Sequence, residues 1–264
     1  MTATRPASVF LMYHELQLAG RQLAQSDPGY TRYVLPVEEF EAQMRQIRDM
    51  GLAGVRVSDA LKFSRPAVAI TFDDGCETDL LSAAPVLLKL GFGATFYIVA
   101  GMVGKAGRLS SAQLRELQGS GFEIGCHSMT HPYLPDLDDG SLEREIAGAK
   151  AVLEQILGSP VEHFSCPGGR YDSRALRVAK AAGFRSLATS VPRANTASTD
   201  RFSFGRVAIT RSTPANDFEK LCRGQGLWKM RLNGMLRSSA MRLLGNTAYD
   251  RLRARLLKRS QSAE

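Results

Sequence analysis

Short apolar runs alternate with amphipathic stretches through most of this chain. The apolar runs predict buried strands at residues 9–13, 55–57, 67–72, 94–99, 122–125, 161–166, 184–188 and 202–209. Apolar residues also recur at helical spacing, which predicts helices at residues 37–50, 79–90, 110–118, 141–157 and 173–182. Residues 17–33 are polar and are predicted as a long loop. The repeated strand–helix units predict an α/β fold with a largely parallel sheet or barrel.

Polar side chains that carry chemistry follow three of the predicted strands. His14 comes after the first strand, Asp73 and Asp74 come after residues 67–72, and His127 and His131 come after residues 122–125. In parallel α/β folds, ligands and catalytic residues lie at the carboxyl ends of the strands. We therefore expect these five residues at one edge of the sheet.

The spacing of the two histidines favours a metal site. His127 and His131 are four positions apart, and a helical turn would place both imidazoles on one face. Two histidines and an aspartate that leave one position open are typical of a catalytic zinc site. The alternative is structural, because the sequence Asp-Asp-Gly also occurs in turns and helix caps, and a single histidine is more often structural.

The net charge of +8 is confined to the end of the chain. Beyond residue 220 there are ten Lys and Arg residues and two acidic residues, Asp250 and Glu264. Residues 1–220 carry equal numbers of basic and acidic residues. We expect a catalytic domain at residues 1–213 and a basic amphipathic helical tail at residues 214–264. Such a tail either contacts an anionic membrane surface or packs on its own domain. Nucleic acid is not an expected partner, because the basic residues lie in the tail without interleaved aromatic residues on a defined surface.

Cysteine usage and hydropathy predict a cytoplasmic protein. The four cysteines are scattered without paired spacing, and residues 1–12 are too short and polar for a secretory leader. No stretch has the apolar length of a membrane-spanning helix. We expect reduced thiols and a cytoplasmic location, with peripheral contact at the inner face of the membrane if the basic tail binds lipid.

The sequences TFDDG at residues 71–75 and HSMTHP at residues 127–132 resemble the first two motifs of the polysaccharide deacetylases, the NodB-homology group or carbohydrate esterase family four. The resemblance covers about residues 9–210 and implies a distorted (β/α) barrel. It implies that Asp73 is the catalytic base. It also implies that Asp74, His127 and His131 bind a divalent metal, usually zinc.

The third motif of the family, Arg-x-Pro-Tyr-Gly, is only partly present. Residues 165–169 read SCPGG, so that Ser165 replaces the arginine and Gly168 replaces the tyrosine. The backbone N–H of Gly168 still provides an oxyanion donor, because that role does not depend on a side chain. Either Arg170 or Arg206 is expected to replace the missing arginine that orients the base. The alternative is that this segment is only a turn before the next helix.

The later motifs of the family, an Asp-Trp segment and a Leu-x-His that supplies the general acid, are absent. Trp228 is the only tryptophan and lies in the tail. The poly-N-acetylglucosamine deacetylases begin with a similar Tyr-His strand and bring that histidine into the site, so His14 is the expected general acid. A structural role for His14 is the alternative, and His163 is expected to be structural.

The resemblance predicts a metal-dependent hydrolase that removes an N-acyl group, most often acetyl, from an amino sugar in a glycan or glycan precursor. One alternative is a deformylase or deacetylase of a small sugar on a lipid carrier. Another is a carbohydrate-binding homologue without activity, for which Ser165 and the absent late motifs provide an argument. The sequence leaves the sugar, the acyl group and the metal open.

Overall fold

The computed structural model describes residues 7–60, 62 and 67–232. Within this part of the chain the strands are β1 (Val9–Tyr13), β2 (Leu16–Gln17), β3 (Leu35–Pro36), β4 (Ala53–Val55), β5 (Ala67–Phe72), β6 (Thr95–Ile98), β7 (Glu123–Cys126), β8 (His163–Ser165), β9 (Ser186–Ala188) and β10 (Val207–Ala208). The α-helices are α1 (Pro28–Thr31), α2 (Val37–Asp49), α3 (Val57–Ala60), α4 (Ala84–Lys89), α5 (Ser111–Gly119), α6 (Asp139–Glu143), α7 (Ala149–Leu157), α8 (Ser173–Ala181) and α9 (Ala215–Cys222).

Eight of these strands form one parallel sheet. Seven of them follow the order β10-β1-β5-β6-β7-β8-β9, and the eighth, β4, pairs with β5. A parallel bridge between Ala188 and Phe204 connects β9 with the segment before β10, so that the sheet curls toward closure. Because all pairs are parallel, the carboxyl ends of the strands lie at one edge. The predicted distorted (β/α) barrel is confirmed.

The two faces of the sheet have different side chains. Along β5, Val68, Ile70 and Phe72 pack in the large core under the helices, whereas Ala67 and Ala69 face a smaller cluster inside the curl. This division follows from the alternation of side chains along a strand. The inner cluster also contains a large ring, Tyr97, and a Cβ at Gly125 would lie only 2.4 Å from it. Small residues thus leave room for the few large or polar side chains inside the curl.

The strand predicted at residues 202–209 is much shorter in the structure, where Val207–Ala208 forms a strand and Phe204 makes only an isolated bridge. Asn195 is the physical reason. Its side-chain amide donates to the Gly205 carbonyl at 2.9 Å and its side-chain oxygen accepts from the Gly205 N–H at 2.9 Å. The backbone of Gly205 is therefore paired with a side chain instead of a neighbouring strand.

Other boundaries also differ from the predicted ones. The strand expected at residues 55–57 ends at Val55, because the Val57 N–H donates to the Thr95 hydroxyl at 2.9 Å and begins α3. The helices predicted at residues 79–90 and 141–157 contain π-helical turns at Asp79–Ala83 and Arg144–Gly148. The loop predicted at residues 17–33 includes α1, with Asp27 as its N-cap. The order of elements survives these changes.

Helix α9 begins the predicted tail and packs on the barrel. Phe218, Leu221 and Cys222 are buried in the same core as the strands, and Leu227 joins them. The rest of the tail, residues 233–264, lies outside the described residues, so the division at residues 213 and 214 stays a prediction. In the part that the structure describes, no helix has the length and apolar character needed to cross a membrane.

Candidate active site

The carboxyl ends of β5 and β7 bring the residues of the first two motifs together. Asp73 and Asp74 follow β5, and His127 follows β7. Asp74 Oδ1 lies 3.7 Å from His127 Nε2 and 3.6 Å from His131 Nε2, and Asp73 Oδ2 lies 3.7 Å from His127 Nε2. Residues up to 58 positions apart in the chain thus lie within a few ångströms of one another.

The two neighbouring aspartates have different partners because the chain turns between them. Asp73 is buried and its N–H donates to the Tyr13 carbonyl at 3.0 Å, which continues the pairing of β5 with β1. Asp74 has a φ of 79° and Gly75 a φ of 66°. The left-handed region is unfavourable for a residue with a side chain, and such strain clusters at functional sites. The turn leaves Asp73 inside the barrel and Asp74 at its edge.

The prediction that a helical turn aligns His127 and His131 is wrong. Residues 127–133 are not helical, and both Ser128 and His131 have a φ of 67°. The Ser128 hydroxyl accepts from the His131 N–H at 2.9 Å, and the Glu145 carboxylate accepts from the N–H groups of Met129 and Thr130. An irregular loop held by side chains brings the two rings to a centroid distance of 4.9 Å.

These donors fit a divalent metal such as zinc. One ligand atom from each of Asp74, His127 and His131 lies within 4.8 Å of the others. Two ligands of a tetrahedral zinc ion, each about 2.0–2.1 Å from it, are about 3.4 Å apart, close to the separations seen here. His127 Nδ1 lies 2.8 Å from the Ser165 carbonyl, which fixes the ring with Nε2 toward Asp74. Two imidazoles and one carboxylate with an open side suit a catalytic zinc site.

Arg206 takes the place of the missing motif arginine. Its Nη1 donates to Asp73 Oδ1 at 2.7 Å and its Nη2 to Asp73 Oδ2 at 2.8 Å, a bidentate pair that is fully buried. The Ser165 hydroxyl accepts from Arg206 Nη2 at 2.7 Å, and the Thr189 carbonyl accepts from Nε at 3.0 Å. Ser165 is small enough to leave room for this guanidinium. A single charge within the predicted strand 202–209 was the signal in the sequence.

Burial and charge set the protonation of the buried pair. Burial alone would raise the pKa of Asp73, but the Arg206 guanidinium and His127 outweigh it and hold this pKa well below its ordinary value. Burial lowers the pKa of His127 to about 4, although Asp73 opposes the shift. Asp73 is therefore ionised and His127 neutral near pH 7, the state that an imidazole needs to bind a metal.

Arg170, the other candidate for the missing arginine, is placed elsewhere. Its guanidinium lies over the Tyr133 ring, 3.7 Å from the centroid. The same ring is close to Gly168, where a Cβ would lie 3.0 Å from Tyr133 Cε1. Gly168 is exposed and has a φ of 60°, so a side chain here would meet both backbone strain and this ring. Tyr133 of the second motif loop thus lies beside the position where the family has tyrosine.

His14 follows β1 near the two aspartates. Its ring lies 4.9 Å from the Tyr33 ring, and its Nδ1 is buried without a hydrogen-bond partner among the described residues. Burial lowers the pKa of His14, although Asp74 and Asp73 oppose the shift. His14 is therefore a neutral imidazole near pH 7 at the same edge as the other site residues. Its role as general acid stays a prediction.

The family model of the polysaccharide deacetylases matches residues 60–187. Bacillus subtilis YxkH, which carries the name of a polysaccharide deacetylase, is 28% identical over 222 residues, 81% of this chain and 76% of that protein. A chitooligosaccharide deacetylase of Azorhizobium caulinodans is 31% identical over 48% of this chain and 60% of its own length. A peptidoglycan-N-acetylglucosamine deacetylase of Bacillus cereus is 32% identical over 46% of this chain and 54% of its own length.

Solved structures of similar fold come from the same group. A polysaccharide deacetylase from Bacillus cereus superposes with a TM-score of 0.71 and 27% identity, over 82% of this chain and 69% of that one. A Streptococcus pyogenes deacetylase superposes with a TM-score of 0.72 over 83% of this chain and 99% of that one, and at 22% identity it supports the fold alone.

Proposed function

We propose that this chain, whose residues 60–187 match the family model of the polysaccharide deacetylases, is an enzyme of that family and removes N-acyl groups, chiefly acetyl, from amino sugars by metal-dependent hydrolysis. The observation that supports this most directly is the convergence of Asp74, His127 and His131 beside a buried Asp73 that Arg206 holds through both oxygens. The chain has each part that amide hydrolysis needs at one edge of the barrel.

Asp73 is the proposed base. As an ionised carboxylate it accepts a proton from the water that attacks the amide carbon. The two hydrogen bonds from Arg206 prevent rotation of the carboxylate. Because the guanidinium is fully buried, water cannot replace Asp73 as its partner. Arg206 therefore orients the base, at the cost of weakening its basicity.

Asp74, His127 and His131 would hold the divalent metal. When bound, such an ion polarises the amide carbonyl and lowers the pKa of a coordinated water. The Gly168 N–H is the proposed protein donor to the oxyanion that forms on the carbonyl oxygen. The exposure of Gly168 leaves this edge accessible to a substrate.

His14 is the proposed general acid for the leaving amine. Its ring is neutral near pH 7, so it has to gain a proton before it can donate one. The Tyr33 ring packs against His14 at a tilt of 33°, which limits rotation of the imidazole and allows it to act from one position. The structural alternative for His14 predicts no change in the alkaline limb of the pH profile when this residue is replaced, because the loss of a proton from the general acid lowers activity as the pH rises.

The proposed substrates are glycans that contain N-acetylated amino sugars. This class follows from the names of the two relatives, a chitooligosaccharide deacetylase and a peptidoglycan-N-acetylglucosamine deacetylase. The chain spans little more than half of each of these proteins, so their whole activities come to it only as a proposal. The intact set of site residues argues against a carbohydrate-binding homologue without activity.

The test is acetate release from N-acetylated chitooligosaccharides and peptidoglycan fragments, before and after treatment with a chelator. We expect the chelator to abolish release and zinc to restore it, because the three ligands are the proposed site of the ion. Formate release from N-formylated sugars under the same conditions would favour the deformylase alternative. Release that is indifferent to the chelator would contradict the metal-dependent mechanism.

We also propose that the basic tail contacts an anionic membrane at the cytoplasmic face. Within the described residues, Trp228 and Leu232 are exposed beside Lys229 and Arg231, a combination that interfacial helices present. Sedimentation with vesicles that contain anionic phospholipid is the test. If the full chain sediments equally with neutral and anionic vesicles, or with neither, the proposed membrane contact is contradicted.

A further inference from the structure

We propose that Arg108 is a positioning residue for Asp74: its guanidinium holds the turn that aims the Asp74 carboxylate at the two histidines. This inference rests on the metal site of the proposed function. It concerns a residue outside the three motifs, in the segment between β6 and α5.

The turn that carries Asp74 needs support. Asp74 and Gly75 are both left-handed, and ladder pairing between β5 and β6 ends two residues before Asp74, at Phe72 and Phe96. The left-handed conformation is energetically unfavourable for a residue with a side chain. Nearby contacts have to offset this energy if Asp74 is to keep one orientation before an ion binds.

Arg108 makes those contacts from the side. Its Nη1 donates to the Asp74 carbonyl at 3.1 Å and lies 3.2 Å from Cys76 Sγ. No other donor to the Asp74 carbonyl is found among the described residues. The backbone is clamped at the same place, because Arg108 forms an antiparallel bridge with Cys76 and the Leu109 N–H donates to the Gly75 carbonyl at 3.0 Å. Side chain and backbone together hold residues 74–76.

A chain of contacts connects this clamp with the start of the polar loop. Cys76 Sγ lies 3.4 Å from the Tyr30 hydroxyl, which donates to Glu15 Oε2 at 2.8 Å. Glu15 also accepts from the Ala24 N–H, and it is the neighbour of His14 in the chain. Both contacts come from Nη1 of Arg108, which has two N–H groups and can bond two acceptors at once. Arg108 thus connects the turn of Asp74 with the segment that carries the proposed acid.

The test is zinc affinity, measured by calorimetry on the full chain after removal of bound metal. In Arg108→Met we expect a loss of about 10–100-fold, the usual effect of removing a group that orients a metal ligand. Arg115→Met is the matched control, because Arg115 is exposed on α5 and, within the described part of the chain, donates only to the Ile156 carbonyl. We expect wild-type affinity in this control. Thermal unfolding of the metal-free variants shows whether each is folded.

Arg108→Gln is the second variant, because its uncharged side chain is shorter and ends before the Asp74 carbonyl. The absorption spectrum of bound cobalt, which reports the geometry of the ligands, should also change in both variants and stay unchanged in Arg115→Met. Wild-type zinc affinity in either folded Arg108 variant would overturn the proposal. Failure of the wild-type chain itself to bind zinc would overturn the proposed metal site, and this inference with it.

Discussion

A buried histidine lies beside a carboxylate at each end of the barrel, but only one end has the features of an active site. At the amino ends of β7, β8 and β9, His163 Nε2 lies 3.3 Å from Glu123 Oε1 and His163 Nδ1 lies 2.7 Å from the Ser186 hydroxyl. At the carboxyl ends, His127 lies 3.7 Å from both Asp73 and Asp74. A histidine–carboxylate pair alone does not distinguish the two ends.

The two ends of the barrel differ in whether their polar side chains face one another or reach solvent. At the amino end, Glu123 Oε2 accepts from the Thr95 hydroxyl at 2.6 Å, so the side chains of Thr95, Glu123, His163 and Ser186 form a row in which each polar group faces the next. At the carboxyl end, Asp74 and His131 keep 12% and 39% of their side chains exposed and face one another across a gap. Closed polar rows stabilise a barrel, whereas converging ligands that reach solvent can take an ion and a substrate. The prediction that His163 is structural agrees with this placement.

The largest expected effect is at the base. Asp73→Asn should lower acetate release by about 10²–10⁴-fold, because the amide cannot accept the proton of the attacking water. Zinc content should stay near wild type, since Asp73 is not a proposed ligand. Glu123→Gln at the other end should keep its activity at neutral pH. Equal losses in both variants would remove the distinction between the two ends.

Arg206→Met should destabilise the fold more than any other single change to a surface or barrel arginine. The variant leaves Asp73 buried without its partner, which costs about 3–5 kcal/mol in the free energy of unfolding. Urea unfolding measures this loss, and Arg48→Met is the control, because Arg48 is exposed and pairs with its neighbour Asp49. The control should change by less than about 1 kcal/mol. A similar small change in Arg206→Met would show that the buried pair is not a structural element.

Glu123 should make the closed row depend on pH. Burial alone would raise its pKa, but bonding with His163 lowers this pKa to about 2. A carboxyl whose pKa is lowered by folding adds stability above its unfolded pKa of about 4.3, and this contribution disappears as the pH falls toward 2. The stability advantage of the wild type over Glu123→Gln should therefore shrink between about pH 4.5 and pH 2. An advantage that stays constant over this range in unfolding titrations would contradict the lowered pKa.

The smallest expected effect is at Gly168. Gly168→Ala should lower the free energy of unfolding by roughly 1–2 kcal/mol, because the backbone here is left-handed. Contact between the new Cβ and Tyr133 should lower it further. Gly158→Ala is the matched control, because Gly158 has a φ of 68° and a Cβ there meets nothing within 4 Å. The difference in unfolding free energy isolates the contact with Tyr133. Equal losses in the two variants would show that this ring moves aside.

Much of the site was predictable from the sequence because its residues follow strands. The alternation of apolar runs and helices predicted the barrel, and parallel strands placed Asp73, Asp74, His127 and His131 at one edge. The way in which His131 reaches the site was not predictable, because the left-handed turns at Ser128 and His131 depend on Glu145, which lies in the π-helical turn Arg144–Gly148. Periodicity carries no information about such contacts.

The sequence alone indicated which strands are followed by site residues, because side-chain alternation and parallel pairing are local rules that apply along the whole chain. Only the tertiary structure decided which arginine holds the base. Arg170 and Arg206 were equal candidates in the sequence, and the curl of the sheet placed β10 beside β1, so that Arg206 enters the barrel opposite Ser165. Arg170 instead lies over Tyr133. A buried ion pair depends on where two distant strands meet, and that distance is fixed by packing.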